Sequence, residues 1–186
     1  MNIWFTADTH FGSDRALNLS RRPFRNVKEM DTAIINAWNS VVAPDDVIYH
    51  LGDFGNYNML QYLNGEKHLI LGNYERKDIQ EHKISMQTLC ELGFVEVAAY
   101  KYLPNLISNV KNAADVKLVH EPLNCDRDGR IFNLFGHIHG RQMCKHLGLD
   151  VGVDAHYFRP INVEDVCFYA NAIRNGFYDE NVWFDI

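Results

Sequence analysis

Ile3-Trp4-Phe5-Thr6-Ala7 runs into Asp8-Thr9-His10, Val47-Ile48-Tyr49-His50-Leu51 into Gly52-Asp53, and His68-Leu69-Ile70-Leu71 into Gly72-Asn73. Each is a short apolar run that ends in a polar tip. Val116 to Val119 before His120, and Ile131 to Phe135 before Gly136-His137, repeat the plan. Apolar runs of four to six residues rich in Ile, Val, Leu and Phe read as buried strands, although a run alone does not separate a strand from a short core helix. Between them Met30, Ala33, Ile34, Ala37, Trp38 and Val41 recur at helical spacing, a stripe that faces a core. Further helices are expected over Tyr57 to Leu63, over Ile79 to Leu92 with Gly93 as stop, and over Val163 to Arg174 with Asn162 as N-cap and Gly176 as stop. Alternating strands and helices in the first half imply βαβ units. Lys101 to His120, with Pro104 and the Asn-rich Ser108 to Asn112 inside it, reads as an antiparallel hairpin, so the second half is expected to be mostly β.

Composition excludes several classes. The chain has 186 residues, 47% hydrophobic and 23% charged, with 12 glycines and 5 prolines. That is an ordinary globular balance, neither disordered nor collagen-like. At this length one domain over residues 1–186 is the expectation, since no repeat, low-complexity tract or linker appears. The formal charge of −6 gives no general attraction to nucleic acid or anionic lipid. The one basic run, Arg21, Arg22, Arg25 and Lys28, is too short for a binding stripe and reads as a solvated loop. Four widely spaced cysteines read as reduced thiols, and neither a signal-like start nor an 18-residue apolar window is present, so a cytoplasmic protein without membrane contact is expected.

In open α/β sheets ligands sit beyond the carboxyl ends of the strands, where the five tips fall. Together the tips supply Asp8, His10, Asp53, Asn73, His120, His137 and His139. Carboxylate, imidazole and amide oxygen suit borderline to hard divalent ions such as Mn²⁺, Fe²⁺, Co²⁺ or Zn²⁺. Seven donors exceed the needs of one ion; two ions sharing a carboxylate would use them all. Each tip alone is common by chance, and His50, inside a strand, reads as a hydrogen-bonded core residue. The ordered set is what carries the reading.

Asp8-Thr9-His10, Gly52-Asp53, Gly72-Asn73-Tyr74-Glu75, His120-Glu121-Pro122 and Gly136-His137-Ile138-His139 resemble the calcineurin-like metallophosphoesterase superfamily. Arg22-Pro23-Phe24, Glu29-Met30-Asp31, Val151-Gly152-Val153-Asp154 and Arg159-Pro160-Ile161 resemble its small bacterial and phage branch. The resemblance implies an α/β (α+β) fold, a four-layer αββα sandwich of two mixed sheets flanked by helices with a dinuclear site at one end. It implies that Asp8, His10, Asp53 and His139 hold one ion, and that Asp53, Asn73, His120 and His137 hold the other, with Asp53 bridging. The implied cofactor is a pair of divalent ions, manganese first, with iron, zinc, nickel or cobalt as alternatives.

The implied activity is hydrolysis of phosphate esters by in-line attack of a hydroxide held between the ions, with Asp53, Asn73 and Tyr74 at the reacting centre. Where the superfamily most often has histidine as general acid, this chain has Tyr74, and a tyrosine, with an ordinary pKa of about 10, is a weaker donor at neutrality. Diesters, including nucleotide or cyclic-nucleotide types, are therefore expected over monoesters, and Tyr74 reads first as a rim residue. Asn73, Arg141 and Arg159 are the expected substrate contacts; Arg141, Arg159 and His156 also admit plainer surface roles. The rival readings are a nuclease or a phosphomonoesterase of the same superfamily, and a metal-bearing interaction module whose catalysis has faded. With two divalent ions in place the pocket is positive even though the chain is acidic.

Overall fold

The computed structural model describes residues 1–110, 115–144 and 148–175. In chain order the elements are β1 (Ile3–Thr6), α1 (Asp14–Leu19), α2 (Val27–Asn39), β2 (Val47–His50), β3 (Glu66–Ile70), α3 (Asn73–Gln80), α4 (Met86–Glu91) and β4 (Glu96–Ala98). There follow β5 (Lys101–Leu103), β6 (Asp115–Leu118), β7 (Ile131–Phe135), β8 (Gly148–Asp150), β9 (Ile161–Asn162) and α5 (Val163–Arg174). One sheet has the order β4-β3-β2-β1-β9 and the other β5-β6-β7-β8. Strands β1 to β4 run parallel and β9 closes that sheet antiparallel; β5 is antiparallel to β6, and β6, β7 and β8 are parallel. The chain thus forms the expected sandwich of two mixed sheets flanked by helices.

Strand alternation decides which core each residue joins. Phe5, Tyr49, Leu51 and Ile70 point inward from the first sheet to meet Val116, Leu118, Phe132 and Leu134 of the second, and Val166 and Ala170 of α5 pack into the same core. On the opposite face Trp4, Ile48 and Leu69 pack against Met30, Ile34 and Trp38, the predicted stripe of α2. Burial on both faces explains why these strands read as continuous apolar runs. The outer face of the second sheet carries the loop after β6: Lys117 donates to the Asn124 carbonyl at 3.0 Å, Tyr102 to Asp126 at 2.9 Å, and Asn133 exchanges two hydrogen bonds with the Asp126 backbone.

The helix expected over Ile79 to Leu92 is instead the last two residues of α3, a break, and then α4, while the rest of α3 (from Asn73) precedes the expected range. His82 adopts φ +57° after α3, and the Ser85 hydroxyl accepts from Thr88 N–H to start α4, so a stop and a new cap fall inside what periodicity reads as one stripe. The Tyr57–Tyr62 segment is a 3-10 helix. Asn162 caps α5 as expected, accepting from Asp165 N–H. Asn112, His146 and Gly176 lie outside the described residues.

Asp46 ties the start of β1 to the turn before β2. Its carboxylate accepts from Asn2 N–H at 2.6 Å, Trp4 Nε1 at 2.9 Å and Ala43 N–H at 3.0 Å. The Asn2 and Ala43 backbone bonds hold its pKa down to about 2 from 3.8. A carboxyl depressed in the folded state stabilises it fully above the unfolded value and loses that contribution as pH falls through the folded one. Thermal unfolding followed from pH 6 to 2 should therefore show Asp46→Asn less stable than wild type at pH 6 and the two converging towards pH 2. Parallel curves over that range would show that the carboxylate charge contributes nothing.

Candidate metal centre

The carboxyl ends of β1, β2, β3, β6 and β7 lie side by side across the two sheets, and the loops leaving them carry the seven predicted residues. The first two loops are stitched together: Asp8 N–H donates to Gly52 O and His10 N–H to Asp53 O, each at 3.0 Å. Asp8, His10, Asp53, His137 and His139 all have positive φ, between 48° and 73°. Such backbone strain at non-glycine residues persists only where surrounding contacts over-determine it, and it gathers at functional sites. Gly72 allows the β3 tip to approach β2, because a Cβ there would lie 2.3 Å from Asp53 Oδ1 and 2.4 Å from its nitrogen.

The seven side chains form two groups that meet at Asp53. Asp8, His10 and His139 place their donor atoms within 4.8 Å of one another, as do Asp53, His120 and His137. Asp53 Oδ2 lies 3.6 Å from His10 Nε2 and 3.5 Å from His120 Nε2, between the groups. Asn73 Oδ1 lies 2.9 Å from His120 Nε2 and 3.0 Å from His137 Nδ1. Two buried atoms here, Asp8 Oδ1 and His10 Nε2, lack a hydrogen-bond partner although they are only 3.9 Å apart. Buried polar atoms are ordinarily satisfied, so this neighbouring pair of orphans could take a further ligand. Two of the imidazoles have their Nδ1 atoms committed. His120 Nδ1 donates to Leu51 O at 2.7 Å and His139 Nδ1 to Asp154 at 2.7 Å, which leaves each Nε2 to face the centre, as metal-binding imidazoles require.

The electrostatics show how closely unlike groups are packed. Burial pushes Asp8 up to about 7 against the opposing pull of His120 and His139. Burial lowers His10 to about 4. Burial acts against the charged form of Asp53 too, but the His120 hydrogen bond and charge, with the Tyr74 N–H, outweigh it and hold the carboxyl below its usual range. The same partnership, with Asp8, overrides burial and raises His120 to about 9.

Several supporting residues escaped the sequence reading. Arg22, assigned above to a solvated loop, is instead 5% exposed. It donates through Nη2 to Asp8 O at 2.6 Å and through Nη1 to Thr9 O at 2.8 Å, while Nε and Nη2 grip Asp154, each at 2.8 Å. Glu75 is fully buried and accepts from the N–H groups of Asp53, Phe54 and Gly72, each at 2.9 Å, which fixes the β2 tip to the β3 tip. Its place three residues after Gly72 is the capping-box spacing, a signal present in the sequence. His50 is buried as expected, its Nε2 3.0 Å from the Thr9 hydroxyl, which donates to Phe54 O.

A cavity of about 760 Å³ opens above the centre, with His10, Asp53, Asn73, His137 and His139 in its floor. Tyr74 stands in its wall, 39% exposed, with its ring edge-on to His10 and its hydroxyl accepting from Arg15 at 3.2 Å. Arg141 lines the cavity. Arg159 is exposed and lies outside the lining, and His156 is buried with its ring donating to Asp150 O at 2.6 Å, so neither stands in the cavity wall.

No family model matches the chain. The gene 66 protein of Mycobacterium phage L5 is 30% identical to it over 93% of this chain and 96% of that protein. The chain belongs to the family of that phage protein. A second member of the gene 66 family, from Mycobacterium phage D29, is 25% identical over 94% of this chain and 98% of its own. An uncharacterized protein of Methanocaldococcus jannaschii is 37% identical over 40% of this chain and 47% of its own. A solved structure of a protein of unknown function from Aquifex aeolicus shares the fold of this gene 66 relative, with a TM-score of 0.66, 22% identity and coverage of 90% and 98% of the two chains. No helix among the described residues is long and apolar enough to cross a membrane.

Proposed function

We propose that this protein is a dinuclear metal-dependent phosphoesterase that hydrolyses phosphodiesters. The observation that carries the reading is the pair of donor groups meeting at Asp53, with orphaned Asp8 Oδ1 and His10 Nε2, on the floor of an open cavity. Two divalent ions held there would acidify a water and polarise a phosphoryl oxygen. Asp8, His10, Asp53 and His139 would hold one and Asp53, Asn73, His120 and His137 the other; mixed N and O donors fit Mn²⁺, Fe²⁺, Co²⁺, Ni²⁺ or Zn²⁺.

Hydrolysis joins a water oxygen to phosphorus and breaks the bond to the leaving oxygen, which departs with the electron pair and acquires a proton. Asp53, anchored by Tyr74 N–H and held ionised, supplies fixed negative charge at the centre of the floor. Asn73, at the first turn of α3, presents its amide to the cavity. Tyr74 stands where a stronger acid would protonate a poor leaving group, and a tyrosine in place of an imidazole favours diesters with acidic or ring-strained leaving groups.

The test measures metal content and then the hydrolysis by Mn²⁺-loaded protein of bis-p-nitrophenyl phosphate, p-nitrophenyl phosphate, and cyclic and linear nucleotides. Two ions per chain and preferential diester turnover are expected. Preference for the monoester overturns the diester assignment, and two bound ions with no turnover overturn the enzyme.

A further inference from the structure

Four cations surround the mouth of the cavity: Arg15 on α1, Arg21 in the turn after it, Lys77 on α3 and Arg141 after the β7 loop. They come from three separate segments, so no single helix face accounts for their convergence. Several cations elsewhere, Arg25, Arg76, Lys83, Lys101 and Arg130, each pair with a carboxylate. Among the described residues none of the four around the mouth has a carboxylate within the 4.0 Å ion-pair distance, and Asp53, in the floor, is the one acid in the lining. Four long cationic side chains lining one concavity, in a chain of net charge −6, make a local positive field at its mouth.

We infer that the cavity takes a compact nucleotide bearing at least one phosphate in addition to the one it cleaves. This rests on the phosphodiesterase reading. The scissile phosphate belongs to the floor, and one diester carries a single charge, which leaves four rim cations without a function unless the substrate brings more anionic groups. Guanidinium forks and an ammonium are the donors that recognise phosphate oxygens. The half-open ring of Tyr74 and the exposed Leu19, both in the lining, offer apolar surface for a base. A volume of about 760 Å³ matches a small-molecule site, and the four cations gather at one mouth rather than along an extended track.

The experiment uses a matched pair of chromogenic diesters, thymidine 5′-(p-nitrophenyl phosphate) with and without a 3′-phosphate, on Mn²⁺-loaded protein. In parallel, calorimetry measures binding of tripolyphosphate and orthophosphate to metal-free protein. Wild type is expected to show kcat/KM about tenfold higher for the bisphosphate, the factor that one charge-assisted contact supplies, and tighter binding of tripolyphosphate. In Arg15→Gln/Lys77→Gln, and separately in Arg141→Gln, both preferences should fall; all three side chains are exposed, and circular dichroism checks the fold. Hydrolysis of both diesters at equal kcat/KM overturns this inference and leaves the phosphodiesterase standing. Tight tripolyphosphate binding with neither diester cleaved overturns the phosphodiesterase and, with it, the substrate assignment. A twelve-residue oligonucleotide that competes better than a nucleoside triphosphate overturns the compact substrate in favour of a nucleic-acid end.

Discussion

Asp53→Asn is expected to lower diester hydrolysis by the Mn²⁺-supplied protein by at least about a hundredfold, since even the outer-shell partners of metal ligands cost 10- to 100-fold when lost. The substitution keeps shape and removes charge. The amide oxygen still accepts from Tyr74 N–H at the Oδ1 position, which leaves the NH₂ at the Oδ2 position, 3.6 Å from His10 Nε2 and 3.5 Å from His120 Nε2. A donor then stands where both donor groups share an acceptor, so both lose a ligand at once. His120 loses the carboxylate whose hydrogen bond and charge hold its pKa up. Wild type should gain thermal stability when Mn²⁺ is added, because an ion that binds only the folded state stabilises it by mass action. The variant should gain little. A variant that keeps both its metal content and its turnover would sink the dinuclear scheme, whereas one unfolded without metal would be read from the Asp53→Glu variant instead.

The centre was legible because its donors sit at the ends of parallel strands, where the chain must break a buried apolar run with polar residues. Asp8, His10, Asp53, Asn73, His120, His137 and His139 each follow such a run; parallel pairing aligns those ends within each sheet, and the packing of the two sheets face to face joins the two sets. The antiparallel hairpin was legible for a similar reason, since β5 and β6 flank a proline and an asparagine-rich turn. Strands β4, β8 and β9, of two or three residues, are too short to carry a period. The break between α3 and α4 hides inside a continuous apolar stripe because a cap is a hydrogen bond of one serine, and periodicity is blind to it. Arg22 was misread for a deeper reason. Local composition around it is that of a solvated loop, and its partners are 14, 13 and 132 residues away, so nothing short of the fold brings them together.

Arg22→Met should be the most destabilising substitution at the centre, and its effect should divide between the two donor groups unequally. The arginine side chain is fully buried and Asp154 is 8% exposed. Removing it strands a buried carboxylate and takes donors from Asp8 O and Thr9 O; breaking a buried ion pair costs about 3–5 kcal/mol. Adding Asp154→Asn should recover part of that loss, because an uncharged amide needs no counter-ion. Metal binding should not recover with it. After Asp154→Asn an amide oxygen can still accept from His139 Nδ1, so what the double variant lacks is the grip of Arg22 on the Asp8 and Thr9 carbonyls that presents the Asp8, His10 and His139 group. Asp53 and His120 are fixed instead by Tyr74 N–H, Leu51 O and the Glu75 bonds, none of which passes through Arg22; His137 alone of that group is tied to the other, its N–H donating to Asp8 Oδ2 at 2.7 Å. The double variant should therefore bind one Mn²⁺ with near wild-type affinity and a second about 10- to 100-fold more weakly. Equal weakening of both, measured by calorimetry at a pH where the variant is folded, would show that Arg22 acts through stability alone.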